Sequence, residues 1–326
     1  MKRIIAFLLA ALLILGLCAC GGTVSDTKTD SKKLQIVTTI FPIYDWVSAV
    51  TAGTDAEITM LLDSGVDLHS FQPSAQDILK VATCDVFLYV GGESDGWVED
   101  ALKTAPNKNM TVLNLMEVLG DLVKEEETVE GMEETEEEDD EEEGPEYDEH
   151  IWLSLKNAAF LTDRIVEALA EKDPAHAEAY RANAAAYVQK LRLLDEAYAK
   201  TVADASGRTL LFGDRFPFRY LCDDYGLSYY AAFSGCSAET EASFETVAFL
   251  AGKVDELGLG AVLTIEGTDH RIAQTIVQNT RTSDQRILTL DSLQSVTARD
   301  VQNGATYLSI MEKNLEVLRE ALSRQG

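Results

Sequence analysis

At 326 residues and 46% apolar composition, the chain is long enough for two lobes with cores of their own and too hydrophobic to be disordered throughout. A formal net charge of −29 excludes nucleic acid as a partner, because a surface this acidic repels phosphate. None of the five cysteines makes a Cys-x-x-Cys pair, which excludes a zinc ribbon or a thioredoxin-type centre.

The chain opens on Met1-Lys-Arg3, an apolar stretch from Ile4 to Leu17, and Leu17-Cys-Ala-Cys20-Gly-Gly. A basic start, a short apolar core and small residues before a cysteine predict a bacterial lipoprotein signal over residues 1–19, with Cys20 as the lipidated first residue of the mature protein. The apolar stretch is short for a spanning helix, so the lipid itself is the expected anchor to the outer face of the membrane. Residues 20–33, poor in apolar side chains, read as a flexible tether.

From Leu34 onward short apolar runs alternate with helical stretches. Strands are expected at Leu34–Ile40, Glu57–Leu62, Asp85–Val90 and Thr111–Leu115, with helices at Pro42–Thr51 and Pro73–Thr83, in a first lobe spanning 34–172. Within it an acidic loop covers 124–149, and residues 125–149 alone hold seventeen Asp or Glu and no Lys or Arg. Asp173 as cap and Pro174 in the first turn then open an Ala- and Leu-rich helix over 173–206, roughly 45–50 Å long at 1.5 Å per residue. That is longer than one lobe needs, so it is expected to join both lobes rigidly and to permit only modest closure; His176 in its first turn faces solvent.

The second lobe, 207–326, repeats the rhythm. Its strands are expected at Thr209–Phe212, Leu227–Phe233, Ala261–Ile265 and Arg286–Leu290, and its helices at Ala242–Leu257, His270–Asn279 and Val301–Leu322. The fold class is therefore α/β: two lobes, each a mainly parallel sheet flanked by helices, joined by one long helix, with ligand in the crevice at the carboxyl ends of the strands. Cys84 reads as a small buried hydrophobe, and a Cys222–Cys236 disulfide is open on sequence alone.

The chemistry concentrates on two of the four histidines, His69 in His69-Ser-Phe-Gln-Pro-Ser74 and His150 in His150-Ile-Trp-Leu153, which flank the acidic run. These stretches resemble those of the zinc and manganese substrate-binding lipoproteins of bacterial ABC importers, and the resemblance extends over essentially the whole mature chain. It implies that His69 and His150 bind metal from the first lobe and that Asp291, in Leu290-Asp291-Ser-Leu293, binds from the second. Glu241 resembles a glutamate near the family site and ranks after these three. Where the family carries its third ligand, commonly in Phe-His-Asp-Ala-Phe, this chain has Phe212-Gly-Asp-Arg-Phe216, so Gly213 cannot coordinate through a side chain. Either the site is three-coordinate plus water or Asp214, Glu241 or Cys236 moves in, with Arg215 able to pair with Asp214 and remove it. Glu266 and His270 follow a strand end and are read equally well as a salt bridge or a solvated loop.

Neutral imidazoles with carboxylates suit Zn²⁺, the expected cargo ahead of Mn²⁺. The implied function is a monomeric, lipid-anchored receptor on the extracytoplasmic face that hands its ion to a membrane permease. No Gly-x-x-x-x-Gly-Lys-[Ser/Thr] phosphate loop occurs, so ATP hydrolysis belongs to a separate ATPase. Acid is expected to favour release, since imidazole must be neutral to coordinate. The acidic run, which could equally be a solvated tail, is expected to concentrate cations within about 8–10 Å of the crevice, the Debye range at ordinary salt. Two rivals come from other classes. A surface adhesin has no feature in its favour, and a metallohydrolase lacks a His-Glu-x-x-His helix, a Gly-x-Ser-x-Gly elbow and a base for the Ser234-Gly-Cys236 turn.

Overall fold

The computed structural model describes residues 33–133, 146–237, 241–267 and 269–323. Residues 1–32, which hold the signal, Cys20 and the tether up to Ser31-Lys32, and residues 134–145 of the acidic loop lie outside these.

Four parallel strands form the first sheet: β1 (Gln35–Thr38), β2 (Glu57–Met60), β3 (Val86–Tyr89) and β4 (Thr111–Asn114), in the order β2-β1-β3-β4. The second is also parallel: β5 (Thr209–Phe216), β6 (Ser228–Ser234), β7 (Ala261–Thr264) and β8 (Arg286–Thr289), in the order β6-β5-β7-β8. Central strands such as β3 and β7 are buried along their length because helices cover both faces, which is why they read as unbroken apolar runs. Each sheet reverses its winding between its first and third strands. That switch point opens a crevice at the carboxyl ends, where loops from neighbouring strands diverge.

The helices are α1 (Phe41–Val50), α2 (Ala75–Thr83), α3 (Trp97–Thr104), α4 (Leu115–Leu119), α5 (Leu155–Lys172), α6 (Ala177–Asp204), α7 (Arg219–Tyr225), α8 (Phe244–Leu257), α9 (Arg271–Gln278), α10 (Ala298–Gln302) and α11 (Tyr307–Leu322). α2 starts where Ser74 and Asp77 satisfy each other's backbone N–H in a capping box. α6 has 28 residues, about 42 Å at 1.5 Å per residue, and buries Tyr180, Ala184, Tyr187, Leu191, Leu194 and Tyr198 at helical spacing. Its first half is bonded to the first lobe: Asn183 donates to the carbonyls of Val50 and Ala52, and the Tyr187 hydroxyl donates to Asp45. Its second half is bonded to the second lobe, with the Tyr198 hydroxyl donating to Met311 O and Asp195 accepting from the Tyr225 hydroxyl. One hydrophobic core accordingly runs from Val37 and Phe87 through Leu191 to Leu210 and Leu263.

The structure departs from the sequence expectations at several points, among them the long helix, which starts at Ala177 with His176 as its N-terminal boundary instead of opening at Asp173. The strand expected to stop at Phe212 continues to Phe216, with an irregularity against β6 between Phe212 and Arg215. The helix expected over 301–322 is two, α10 and α11, because Gly304 takes φ +93° between them. Cys222 and Cys236 are not bridged: Cys222 is fully buried in the core, whereas Cys236 lies at the crevice.

Candidate metal centre

His69 sits in a short turn, Leu68–Ser70, after β2. Leu68 anchors the turn in the core, and the Asp67 carboxylate accepts the His69 backbone N–H at 3.0 Å. The same carboxylate receives the Arg215 guanidinium from β5 at 2.8 Å, a direct ion pair between the lobes. Burial works to raise the Asp67 carboxyl, but Arg215 and His69 together hold it below the usual carboxylate range.

His150 is fully buried. Asp148 fixes it twice, accepting its backbone N–H at 2.8 Å and facing its ring Nδ1 at 3.0 Å. The turn that follows, Ile151–Leu153, is buried throughout. Trp152 donates from Nε1 to Ser292 O of the second lobe at 2.9 Å and accepts the Tyr307 hydroxyl on its own carbonyl at 2.6 Å.

The two imidazoles turn toward each other, with His69 Nε2 and His150 Nε2 3.1 Å apart. Their outer nitrogens are engaged: His69 Nδ1 lies 2.8 Å from Ser94 Oγ and 3.6 Å from Glu149 Oε2, and His150 Nδ1 faces Asp148. A proton on each Nδ1 suits these acceptors and leaves a lone pair on each Nε2, so the two lone pairs confront one another across a gap suited to a cation. With metal–nitrogen bonds of about 2.0–2.1 Å, two imidazoles on a tetrahedral ion have nitrogens about 3.3 Å apart, close to this separation. Burial, and then the neighbouring His150, lower the His69 pKa to about 3, so this imidazole is neutral well into the acid range. Release through protonation of His69 in mild acid, as the sequence reading expects, is opposed by that burial.

Cys236 completes the cluster. Suitable ligand atoms of His69, His150 and Cys236 all lie within 4.8 Å of one another, and no other residue among those described joins this group. The approach depends on Gly235: a Cβ there would stand 2.9 Å from His150 Cε1 and 3.0 Å from the Phe216 carbonyl oxygen. Burial, with Glu126, Asp148 and Glu149 nearby, pushes the Cys236 thiol well above its ordinary range, while a backbone hydrogen bond from Glu149 opposes this.

The other expected ligands do not join this group. Asp291 follows β8 and turns Oδ1 back onto the Leu293 N–H at 2.8 Å; burial and the nearby Glu266 raise its pKa to about 6. Glu266 is a structural clamp, accepting from the Ser292 backbone at 2.6 Å, the Ser292 hydroxyl at 2.7 Å and Gln294 N at 3.2 Å. Asp214 accepts the backbone N–H groups of Arg215 and Ile265. Glu241 is exposed, and His270 precedes α9 in a left-handed conformation. Gly213 faces α9, where a Cβ would come within 2.6 Å of Ala273 Cα, so close helix packing rather than a ligand occupies this position.

A cavity of about 260 Å³ leads to the cluster, with Glu93, Glu126, Glu146 and Glu149 in its wall beside His69 and Cys236. Glu126 and Glu146 belong to the two ends of the acidic run, which are pinned together: Glu125 and Tyr147 form an antiparallel bridge, and Glu126 N donates to Glu146 O at 2.9 Å. Glu149 Oε2 is buried and has no hydrogen-bond partner.

Two four-stranded parallel sheets thus frame a crevice whose facing imidazoles suit a small cation. The family described as zinc-uptake complex component A, periplasmic, matches residues 36–321, and the chain belongs to it. It is 33% identical to the zinc-binding lipoprotein AdcA of Streptococcus pneumoniae over 329 residues, covering all of this chain and 62% of AdcA. It thus spans less than two thirds of the length of that streptococcal relative. The high-affinity zinc uptake system protein ZnuA of Bacillus subtilis is 28% identical and matched over 97% of this chain and 96% of its own length. Among solved structures, the Zn(II)-bound ZnuA-like domain of S. pneumoniae AdcA superposes with a TM-score of 0.70 at 29% identity, covering 89% of this chain and 99% of that domain.

Proposed function

We propose that this chain is the extracytoplasmic receptor of a zinc importer: it captures Zn²⁺ in the crevice between its lobes and delivers it to an ABC permease driven by a separate ATPase. The observation that carries this reading is the pair of facing Nε2 atoms, 3.1 Å apart, each ring fixed from behind by an oxygen group. An engaged outer nitrogen is the usual arrangement behind a metal-bound imidazole. Family membership and the zinc-named relatives support zinc as the cargo, and the description of AdcA as a lipoprotein supports lipidation of Cys20 as the anchor. Among the described residues no helix is long and apolar enough to cross a membrane. We read the protein as a receptor rather than an enzyme and as a monomer, since the pieces in the crevice converge on holding an ion.

Calorimetric titration of the purified chain with zinc tests this. One ion should bind with submicromolar affinity. His69→Ala or His150→Ala should weaken binding by more than about 100-fold, because even partners behind a metal ligand are worth about 10–100-fold. Absence of saturable zinc binding, or unchanged affinity in both variants, would sink the proposal.

A further inference from the structure

The metal-receptor reading leaves open which second-lobe side chain stands in for Gly213, and Asp291 lies outside the group formed by His69, His150 and Cys236. We propose that the Cys236 thiolate is a ligand from the second lobe, adding sulfur to the two imidazole nitrogens in a donor set that selects thiophilic ions such as Zn²⁺ and Cd²⁺ over Mn²⁺. This inference rests on the proposed crevice site and specifies its chemistry.

Three observations converge on it. Cys236 is the one second-lobe residue, among those described, whose ligand atom lies within 4.8 Å of ligand atoms on both histidines. Its position is built: Gly235 carries the chain past the His150 ring at a distance no side chain tolerates, immediately after β6 ends at Ser234. Glu149 Oε2, 3% exposed and without a hydrogen bond, faces the back of the His69 ring at 3.6 Å from Nδ1 in the same cavity wall as Cys236, so its charge favours a proton on Nδ1 and leaves Nε2 free to coordinate beside the thiol. The other described thiols are used elsewhere. Cys84 is buried against Val81 and Met110, and Cys222 is buried in the core.

Coordination by sulfur requires a thiolate, so binding displaces one proton from Cys236 to solvent as the sulfur–metal bond forms, with no change of oxidation state. A metal–sulfur distance of about 2.3 Å and metal–nitrogen distances of about 2.0–2.1 Å put sulfur and nitrogen about 3.6 Å apart on a tetrahedral ion, so a modest inward shift of the Cys236 loop closes the site. Sulfur is a soft donor and Mn²⁺ favours oxygen, so this donor set discriminates against manganese by chemistry as well as by the general affinity order.

The test is absorption spectroscopy of the full chain loaded with one equivalent of Co²⁺ or Cd²⁺, in wild type, Cys236→Ser and Asp291→Asn, with binding followed in parallel. Wild type should show a thiolate-to-metal charge-transfer band and, with cobalt, intense tetrahedral visible bands. Cys236→Ser should lose the charge-transfer band, lose zinc affinity by more than about 100-fold and prefer zinc over manganese less strongly, whereas Asp291→Asn should keep the band. Stoichiometric metal binding by wild type without a thiolate band overturns the sulfur ligand and leaves the receptor reading standing. Loss of binding in Asp291→Asn with Cys236→Ser unaffected does the same. Failure of wild type to bind any of these ions overturns both.

Discussion

Asp95 shows how strongly burial governs single residues around this crevice. It accepts the Gly91 N–H at 3.0 Å one turn before α3, is 3% exposed, and its pKa is pushed up to about 7, first by desolvation and further by the charge of Glu149. A carboxyl whose folded pKa is raised stabilises the fold fully below its unfolded value near 3.9. That contribution is lost as pH rises through about 7, where the folded protein must bury a charge. Asp95→Asn should therefore match wild type in urea melts at pH 4 and exceed it at pH 8 by on the order of 2–4 kcal/mol. Equal pH dependence in the two proteins would show that Asp95 does not carry this effect. At the same scale, the legible and illegible parts of the site separate cleanly. His69 and His150 were readable because each stands in a distinctive local stretch. Cys236 was readable only as a candidate, because its nearness to His150 is created by contact between lobes, and no local pattern encodes that contact. Asp291 stands where the family resemblance places a ligand, and one oxygen of its carboxylate accepts a backbone N–H two residues away.

Among the elements, the strands were the most legible, since parallel strands covered on both faces leave apolar runs that periodicity detects. The prolongation of β5 through Gly213-Asp-Arg-Phe216 was not, because polar residues within a strand make sense only once Arg215 is seen reaching Asp67 across the crevice. α5 lies outside the expected helices, although Leu155, Ala158, Leu161, Thr162, Ile165 and Leu169 are buried at helical spacing along one face, a signal present in the residues themselves. The acidic run itself acts at this scale. Its described ends meet, and Glu126 and Glu146 stand in the cavity wall with His69 and Cys236, within the Debye length of about 8–10 Å over which fixed charge attracts a cation. Deleting residues 134–145 should slow zinc association at low ionic strength by about tenfold or more and have little effect at high salt, as stopped-flow competition with a fluorescent chelator would show. An unchanged association rate at low salt would reduce the run to a solvated appendage.

Across the whole molecule, the lobes are held in register by α6, by the Asp67–Arg215 ion pair and by the Trp152 and Tyr307 hydrogen bonds. A continuous core beneath the crevice disfavours wide hinge opening, so the proposed capture would rely on small movements of the loops at the strand ends. The central claim is that one divalent ion sits where the two imidazoles converge. Anomalous diffraction from crystals of the zinc-loaded protein, measured on both sides of the zinc edge, locates that ion and identifies its element. The account predicts a single zinc peak about 2.0–2.1 Å from Nε2 of both His69 and His150. A zinc peak elsewhere with these two nitrogens uncoordinated, or no ordered zinc in the crevice, would contradict it.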